Sequence, residues 1–333
     1  MDFLKQNKVA IFDPFTKKEF ENGLVRKTLN RFFDKKTPSV KFSFDLFLLH
    51  NTGDEDDSYF DFLYTFENHP NVNKVFIINE NIEKKDDIYY KQSVLKYDGE
   101  KLHFKKNSCP KHLPELGGTS GPNLSFYNAI EILIDNPNYD YENFFMIEND
   151  SFPITDFWFD KIFEFCDKED NDFLVAGSKY KGHQKWHHVL DYKDHLNGVA
   201  IYKNSSKLLT FMMESKEYNK KMVTESNWCV NFDVAYDKFS KTPRGAELTN
   251  NQKLLVNTDF ITNISDPLDS YISEEDIFKM EPNTSIVHQK EFESLNPKRT
   301  PYYPKFNFED FKKKSKSIFE AEDIIISEPN FSF

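Results

Sequence analysis

FFMIEND, residues 144–150, decides how this chain is read. Phe144 to Ile147 form an apolar run of the length of a buried strand. The run breaks at once into Glu148-Asn149-Asp150. Alternate side chains of an extended segment share a face, so Glu148 and Asp150 point the same way. Two carboxylates held together at the rim of a sheet repel one another unless a cation compensates. A divalent ion meets that need: magnesium takes one or two protein carboxylates and completes its shell with water and phosphate oxygens. The plainer alternative is a loop start before Ser151-Phe152-Pro153, since acid-x-acid steps are common in an acidic chain.

Outward from this step, apolar runs alternate with helical patterns, which predicts an α/β fold with a mostly parallel central sheet flanked by helices. FSFDLFLL (42–49) reads as a buried strand ending in the polar residues His50-Asn51-Thr52. Residues 58–67 carry helical spacing, KVFIIN (74–79) is a second strand closed by Glu80-Asn81, and KLHFK (101–105) is a weaker third. Gly117, Gly118 and Gly121 crowd a loop, after which Pro122 opens a helix to about Ile134. A helix at 156–167, strands at 172–177 and 198–202, a helix from about Ser205, another near Asp233 and a last strand SIVH (285–288) continue the pattern. Residues 1–38, with one strand-like piece VAIF (9–12), read as an N-terminal extension, either an added strand and helix or a lead-in arm. The domain runs over 39–297, and 298–333 form a C-terminal extension.

Composition narrows the function. The net charge of −12 opposes a surface built to neutralise the phosphates of a nucleic acid. A small phosphorylated ligand stays open, because one metal ion supplies the local positive charge. There are 35 Phe and only 10 Gly in 333 residues, which reads as AT-rich coding before it reads as an aromatic binding surface. Cys109, Cys166 and Cys229 are far apart and form no C-x-x-C, so neither a disulfide framework nor a thiolate zinc site is expected. The first residues, MDFLKQNKVAIFDPF, lack an apolar run with a small-residue cleavage site, and no stretch approaches 18 uninterrupted apolar residues. The expectation is a soluble, cytoplasmic protein without a transmembrane segment.

The order FDLFLLHN, KVFIINEN, KLHFKKN, then GPNLSFYNAIEIL, then FFMIEND resembles the GT-A-fold glycosyltransferases over roughly residues 42–290. In that family an acid-x-acid step holds a divalent metal on the diphosphate of a nucleotide sugar. The resemblance implies Mn2+ or Mg2+ as cofactor, a UDP- or GDP-sugar as donor and a glycan or other hydroxyl acceptor. It implies Asp150 as metal ligand, Glu148 as metal ligand or ribose contact, and the late His288 as the group completing the site. Donor contacts fall to Asn51, Thr52, Glu80, Asn81, Gly121, Asn123, Asn128 and Asn149, which gather at strand ends and on the helix before FFMI. HLNG, holding His195, Asn197 and Gly198 before an apolar strand, matches the segment lining the sugar and acceptor cavity; Gly198 also suits a tight turn.

An inverting reaction needs a carboxylate base for the acceptor hydroxyl. Asp233, at the head of a predicted helix, is the choice; the plainer role for it is a first-turn acid on the helix dipole. Asp191 and Asp194 are fallbacks. The stretch 181–188 with Trp186 reads as a mobile loop closing over diphosphate or acceptor. Two other functions stand beside this one: a sugar-phosphate nucleotidyltransferase, and a non-catalytic glycan-binding or structural protein on the same fold. The former is disfavoured because no Gly-rich, Arg/Lys-bearing signature follows the first strand.

Overall fold

The computed structural model describes residues 5–6, 8–51, 53, 57–89, 93–97, 102–106, 113–168, 171–182, 195–226, 230–265 and 272–289. Thr52, Cys109, Trp186, Asp191, Asp194, Cys229 and the extension 298–333 lie outside the described residues.

The strands in chain order are β1 (Lys5–Gln6), β2 (Val9–Phe15), β3 (Phe42–His50), β4 (Val72–Asn79), β5 (Ser93–Tyr97), β6 (Leu102–Lys106) and β7 (Asn143–Met146). After them come β8 (Ser151–Pro153), β9 (Val175–Lys179), β10 (Leu196–Lys203), β11 (Leu255–Asn257), β12 (Ile261–Asn263) and β13 (Ile286–His288). Helices are α1 (Lys17–Glu21), α2 (Leu24–Phe33), α3 (Asp61–Tyr64), α4 (Ser120–Asp135), α5 (Trp158–Cys166), α6 (Ser206–Ser226), α7 (Phe232–Ser240), α8 (Pro243–Leu248) and α9 (Glu274–Met280).

Period-2 patterning splits the core into two layers on opposite faces of one sheet. Ile11, Leu46, Leu48, Phe145 and Ile147 face a cluster completed by Val25, Leu29 and Phe32 of α2 and by Trp158, Phe159 and Ile162 of α5. Ala10, Phe12, Phe47, Phe144 and Met146 face the other way, onto α4, α6 and α7. The Phe content goes into this core: among the described residues Phe157 is the one markedly exposed Phe. The spacing Val25, Leu29, Phe32 lays one apolar stripe along α2.

The main sheet runs β1-β3-β2-β7-β10-β9-β11, with β4 also on β3. β2, β3, β4 and β7 are mutually parallel, while β10 is antiparallel to β7 and to β9. The fold is therefore α/β with a mostly parallel sheet, as the patterning predicts. Antiparallel β10 has a specific consequence: its start, Leu196, lies at the same rim as the C-terminal ends of β2, β3 and β7. A second sheet, β12-β13-β8, stands at that rim over a small core of Phe152, Ile154, Ile264, Ile277 and Val287.

Four sequence expectations narrow or change. Residues 1–38 supply an added strand and helix: β2 lies between β3 and β7 in the middle of the sheet, and α2 covers it. The third strand expected at 101–105 is β6, Leu102–Lys106, which pairs antiparallel with β5 in a separate hairpin. SIVH joins the small sheet. The helix expected from Pro122 begins at Ser120, because proline is tolerated in a first turn whose N–H groups have no intrahelical partner. No helix among the described residues is long and apolar enough to cross a membrane.

Candidate functional site

Glu148 and Asp150 leave β7 in a turn that returns as β8, and β13 runs antiparallel to β8 with His288 opposite Ser151. Residues up to 140 positions apart in sequence thereby meet. One ligating atom each from Glu148, Asp150 and His288 lies within 4.8 Å of the others. His288 Nε2 is 2.9 Å from Asp150 Oδ1 and 3.5 Å from Glu148 Oε2.

The imidazole is fixed from behind. Asn263 Oδ1 sits 3.0 Å from His288 Nδ1 and also accepts the Ser265 N–H, so Nδ1–H is the donor and Nε2 faces the two carboxylates. Asn263 is 2% exposed and holds its place on β12 by donating its backbone N–H to Ser178 Oγ. Burial alone would lower the His288 pKa; the Asp150 and Glu148 carboxylates overcome it and lift the pKa to about 10. Glu148 is raised, first by burial and then by repulsion from Asp150 and Asp233, with His288 acting against both. A proton and a dication thus compete for the same three atoms. The donor set, two carboxylates and an imidazole with its second nitrogen tied, fits manganese or magnesium. Asn263→Leu is expected to weaken Mn2+ binding about 10–100-fold by releasing the ring; a calorimetric titration that matches wild type would leave Asn263 without that role.

Around this cluster lie the other groups of the rim. Gly198 in β10 admits Glu148: a Cβ there would come 2.4 Å from Glu148 Oε1 and 2.6 Å from the Phe232 ring. His195 and Asp233 are both buried, with His195 Nε2 3.5 Å from Asp233 Oδ2. Asp233 lies in the first turn of α7, where its Oδ1 accepts the Val234 N–H and the helix dipole favours the anion. Asp13, at the end of β2, is fully buried with both carboxylate oxygens unbonded, and burial followed by the charges of Glu19 and Glu148 raises its pKa. An unpaired buried carboxylate is costly, so a polar occupant beside it is the physical expectation. Asp13 stands as a lone acid inside the apolar run VAIFDPF, the one local signal it leaves in the sequence.

The remaining sequence candidates divide. Asn51 ends half-buried just past β3. Asn81 is exposed at φ 53° and folds onto Asn79, which is turn chemistry. Gly121 gives its N–H to Ile88, and a Cβ there would press on Asp87 at 2.5 Å; the glycine serves chain packing. Asn123 Nδ2 donates to Thr119 Oγ1 and to the Val230 carbonyl, tying α4 to the segment that leads into α7. Asn149 turns away from the cluster and accepts from Thr28. Asn197 Oδ1 caps the Val199 N–H where β10 is irregular.

Glu80 is 6% exposed and accepts from Ser125, and it shares a shallow groove along α4 with Asn128 and Glu131. Burial raises its pKa to about 8, with Asp87 adding and Ser125 opposing. The folded pKa lies above the unfolded 4.5, so the protonated native form binds more protons, and stability falls as pH rises from about 4.5 to about 8. Glu80→Gln is expected to flatten that slope and to raise stability at pH 9 by on the order of 1–4 kcal/mol. Urea unfolding at pH 5 and pH 9 reads it, and parallel slopes for the two proteins would contradict it.

The fold is α/β, with a mostly parallel central sheet flanked by helices. No family model matches the chain, and no curated protein matches it. Among solved structures, mouse xyloside xylosyltransferase 1 in its apo form has a TM-score of 0.47 at 10% identity, over 88% of this chain and 100% of that one. Glycosyltransferase GlyE of Streptococcus pneumoniae TIGR4 gives 0.44 at 10% identity, over 93% of this chain and 64% of its own. The bifunctional glycosyltransferase WbbM gives 0.40 at 11%, over 86% and 46%. The chain thus spans less than two thirds of the last two. Likeness at this level assigns no substrate, so activity has to be argued from the site.

Proposed function

We propose that this protein is a metal-dependent glycosyltransferase, moving a sugar from a UDP- or GDP-sugar to a hydroxyl of a glycan or other acceptor. The observation that carries the proposal is the triad of Glu148, Asp150 and His288 at the C-terminal rim of the sheet, with an unpaired buried carboxylate, Asp13, beside it.

Asp150, His288 and Glu148 would hold Mn2+ or Mg2+, which when bound supplies Lewis-acid stabilisation of the departing diphosphate. Asn263 holds the His288 ring in its ligating orientation. Asp13, near the end of β2, offers acceptors to the nucleoside, and Asn51, just past β3, stands beside it, bonded to Asp87. Gly198 keeps the floor of the site open beneath Glu148. Asp233 Oδ2 takes the proton from the acceptor hydroxyl in an inverting reaction, with His195 beside it. Burial of both residues excludes water from that transfer.

The test is a thermal-shift and hydrolysis screen of UDP- and GDP-sugars with and without Mn2+. A ligand at a hundred times its dissociation constant adds about 2.7 kcal/mol of stability. A stabilisation that requires both nucleotide and metal, together with sugar release, is the expected result. Metal-independent behaviour throughout would remove the proposal in favour of a silent binding protein.

A further inference from the structure

Arg31, on the last turn of α2, is 3% exposed. Its Nη1 donates to the carbonyl of Asn149 at 3.1 Å and to that of Ser151 at 3.4 Å, on either side of Asp150. One turn earlier on the same helix, Thr28 Oγ1 donates to the Asn149 side chain at 3.2 Å. The guanidinium also stands over the Phe152 ring, 5.6 Å from its centroid. The Asp150 carbonyl accepts the Gln289 N–H, and the Glu148 carbonyl accepts both the N–H and the hydroxyl of Ser151. Every backbone carbonyl from 148 to 151 is therefore engaged, and two of the four are engaged by one side chain.

We infer that Thr28 and Arg31 of α2 are positioning residues for the metal-ligand turn, setting the separation and direction of the Glu148 and Asp150 carboxylates before a dication arrives. The inference rests on the metal reading above and extends it to a helix from the first forty residues, well away from the three ligands in sequence.

The physics is preorganisation. Two carboxylates repel, so an unrestrained turn would relax by rotating a peptide unit and separating them. Hydrogen bonds from a charged donor are stronger than neutral ones, and the guanidinium places such a donor on the peptide units flanking Asp150. Its positive charge stays behind the turn, where it offsets part of the anionic charge without occupying the ligating oxygens. A site held in its binding geometry avoids the ordering cost on ligation, and residues that orient ligands typically govern affinity by 10–100-fold. Lysine would keep the charge but has no planar fork.

The experiment uses the full chain and Mn2+ alone, with free Mn2+ followed by electron paramagnetic resonance and the metal-free melting temperature recorded in parallel. Arg31→Met is expected to bind Mn2+ about 10-fold more weakly or worse. Thr28→Val, which removes one neutral hydrogen bond, should lose about 5-fold, and Arg31→Lys should fall between wild type and Arg31→Met. Arg244→Met, at an exposed pair with Glu214 and Glu247, should match wild type. Wild-type Mn2+ affinity in a folded Arg31→Met protein overturns the inference. Should that variant not fold, wild-type affinity in both Thr28→Val and Arg31→Lys overturns it equally. A wild-type protein that binds no Mn2+ removes the metal reading itself, an outcome distinct from variants that bind as well as wild type.

Discussion

Asp150→Asn is expected to reduce sugar transfer and donor hydrolysis by about 10³-fold or more while the protein stays folded. The side chain is half-exposed, and its Oδ1 is the shortest link to His288 at 2.9 Å. An amide of the same shape keeps a hydrogen-bond acceptor for the imidazole, so packing is preserved. What it loses is the negative charge that binds a dication. Lewis-acid stabilisation of a leaving group is worth several kcal/mol, and each 1.36 kcal/mol is a factor of ten, so losing about 4 kcal/mol gives roughly 10³. Mn2+-dependent thermal stabilisation should vanish in parallel, with the metal-free melting temperature within a few degrees of wild type. Retention of both turnover and the Mn2+ response would show that Asp150 does not hold the ion.

How far the sequence reveals this site depends on the range of the interaction. The acid-x-acid step is legible because an apolar strand that ends in charge is a local event within seven residues. The parallel sheet is legible for the same reason, from short apolar runs separated by helical spacing. β2 is not: VAIF is four residues long, and its place between β3 and β7 depends on pairing with a strand about 130 residues later. Asp13, Thr28 and Arg31 belong to the same residues 1–38, and the groups that Thr28 and Arg31 meet lie more than a hundred residues away. Asn263 leaves no local mark, since it acts across 25 residues through one hydrogen bond. Asparagine misleads in the other direction. The amides at 81 and 149 sit in loops after strands and that at 123 in the first turn of α4, and they make a turn, a contact with α2 and a helix tie. Nothing in a single sequence separates an asparagine that shapes a loop from one that meets a ligand, because both uses need the same short amide at a strand end.

Asp233→Asn is the sharper test of the chemistry, because it should separate metal binding from transfer. Asp233 lies near enough to Glu148 to raise that carboxyl's pKa, yet it is held by a different element, the first turn of α7. Its Oδ1 is committed to the Val234 N–H, which leaves Oδ2, 3.5 Å from His195 Nε2, as the oxygen directed at the reaction. A neutral amide keeps the first contact, so α7 should not shift, but it accepts no proton from a hydroxyl. General-base assistance contributes about 10²–10⁴-fold, and the transfer rate is expected to fall within that range. Mn2+ affinity should hold or improve slightly, since one of the charges repelling Glu148 is gone. The Michaelis constant for the donor should change little while kcat falls, the pattern of an interaction made only in the transition state. A transfer rate equal to wild type would return Asp233 to the plainer role of a first-turn acid on α7. A loss of Mn2+ binding along with the rate would instead place it among the groups that shape the metal site, and the proton would then need another acceptor.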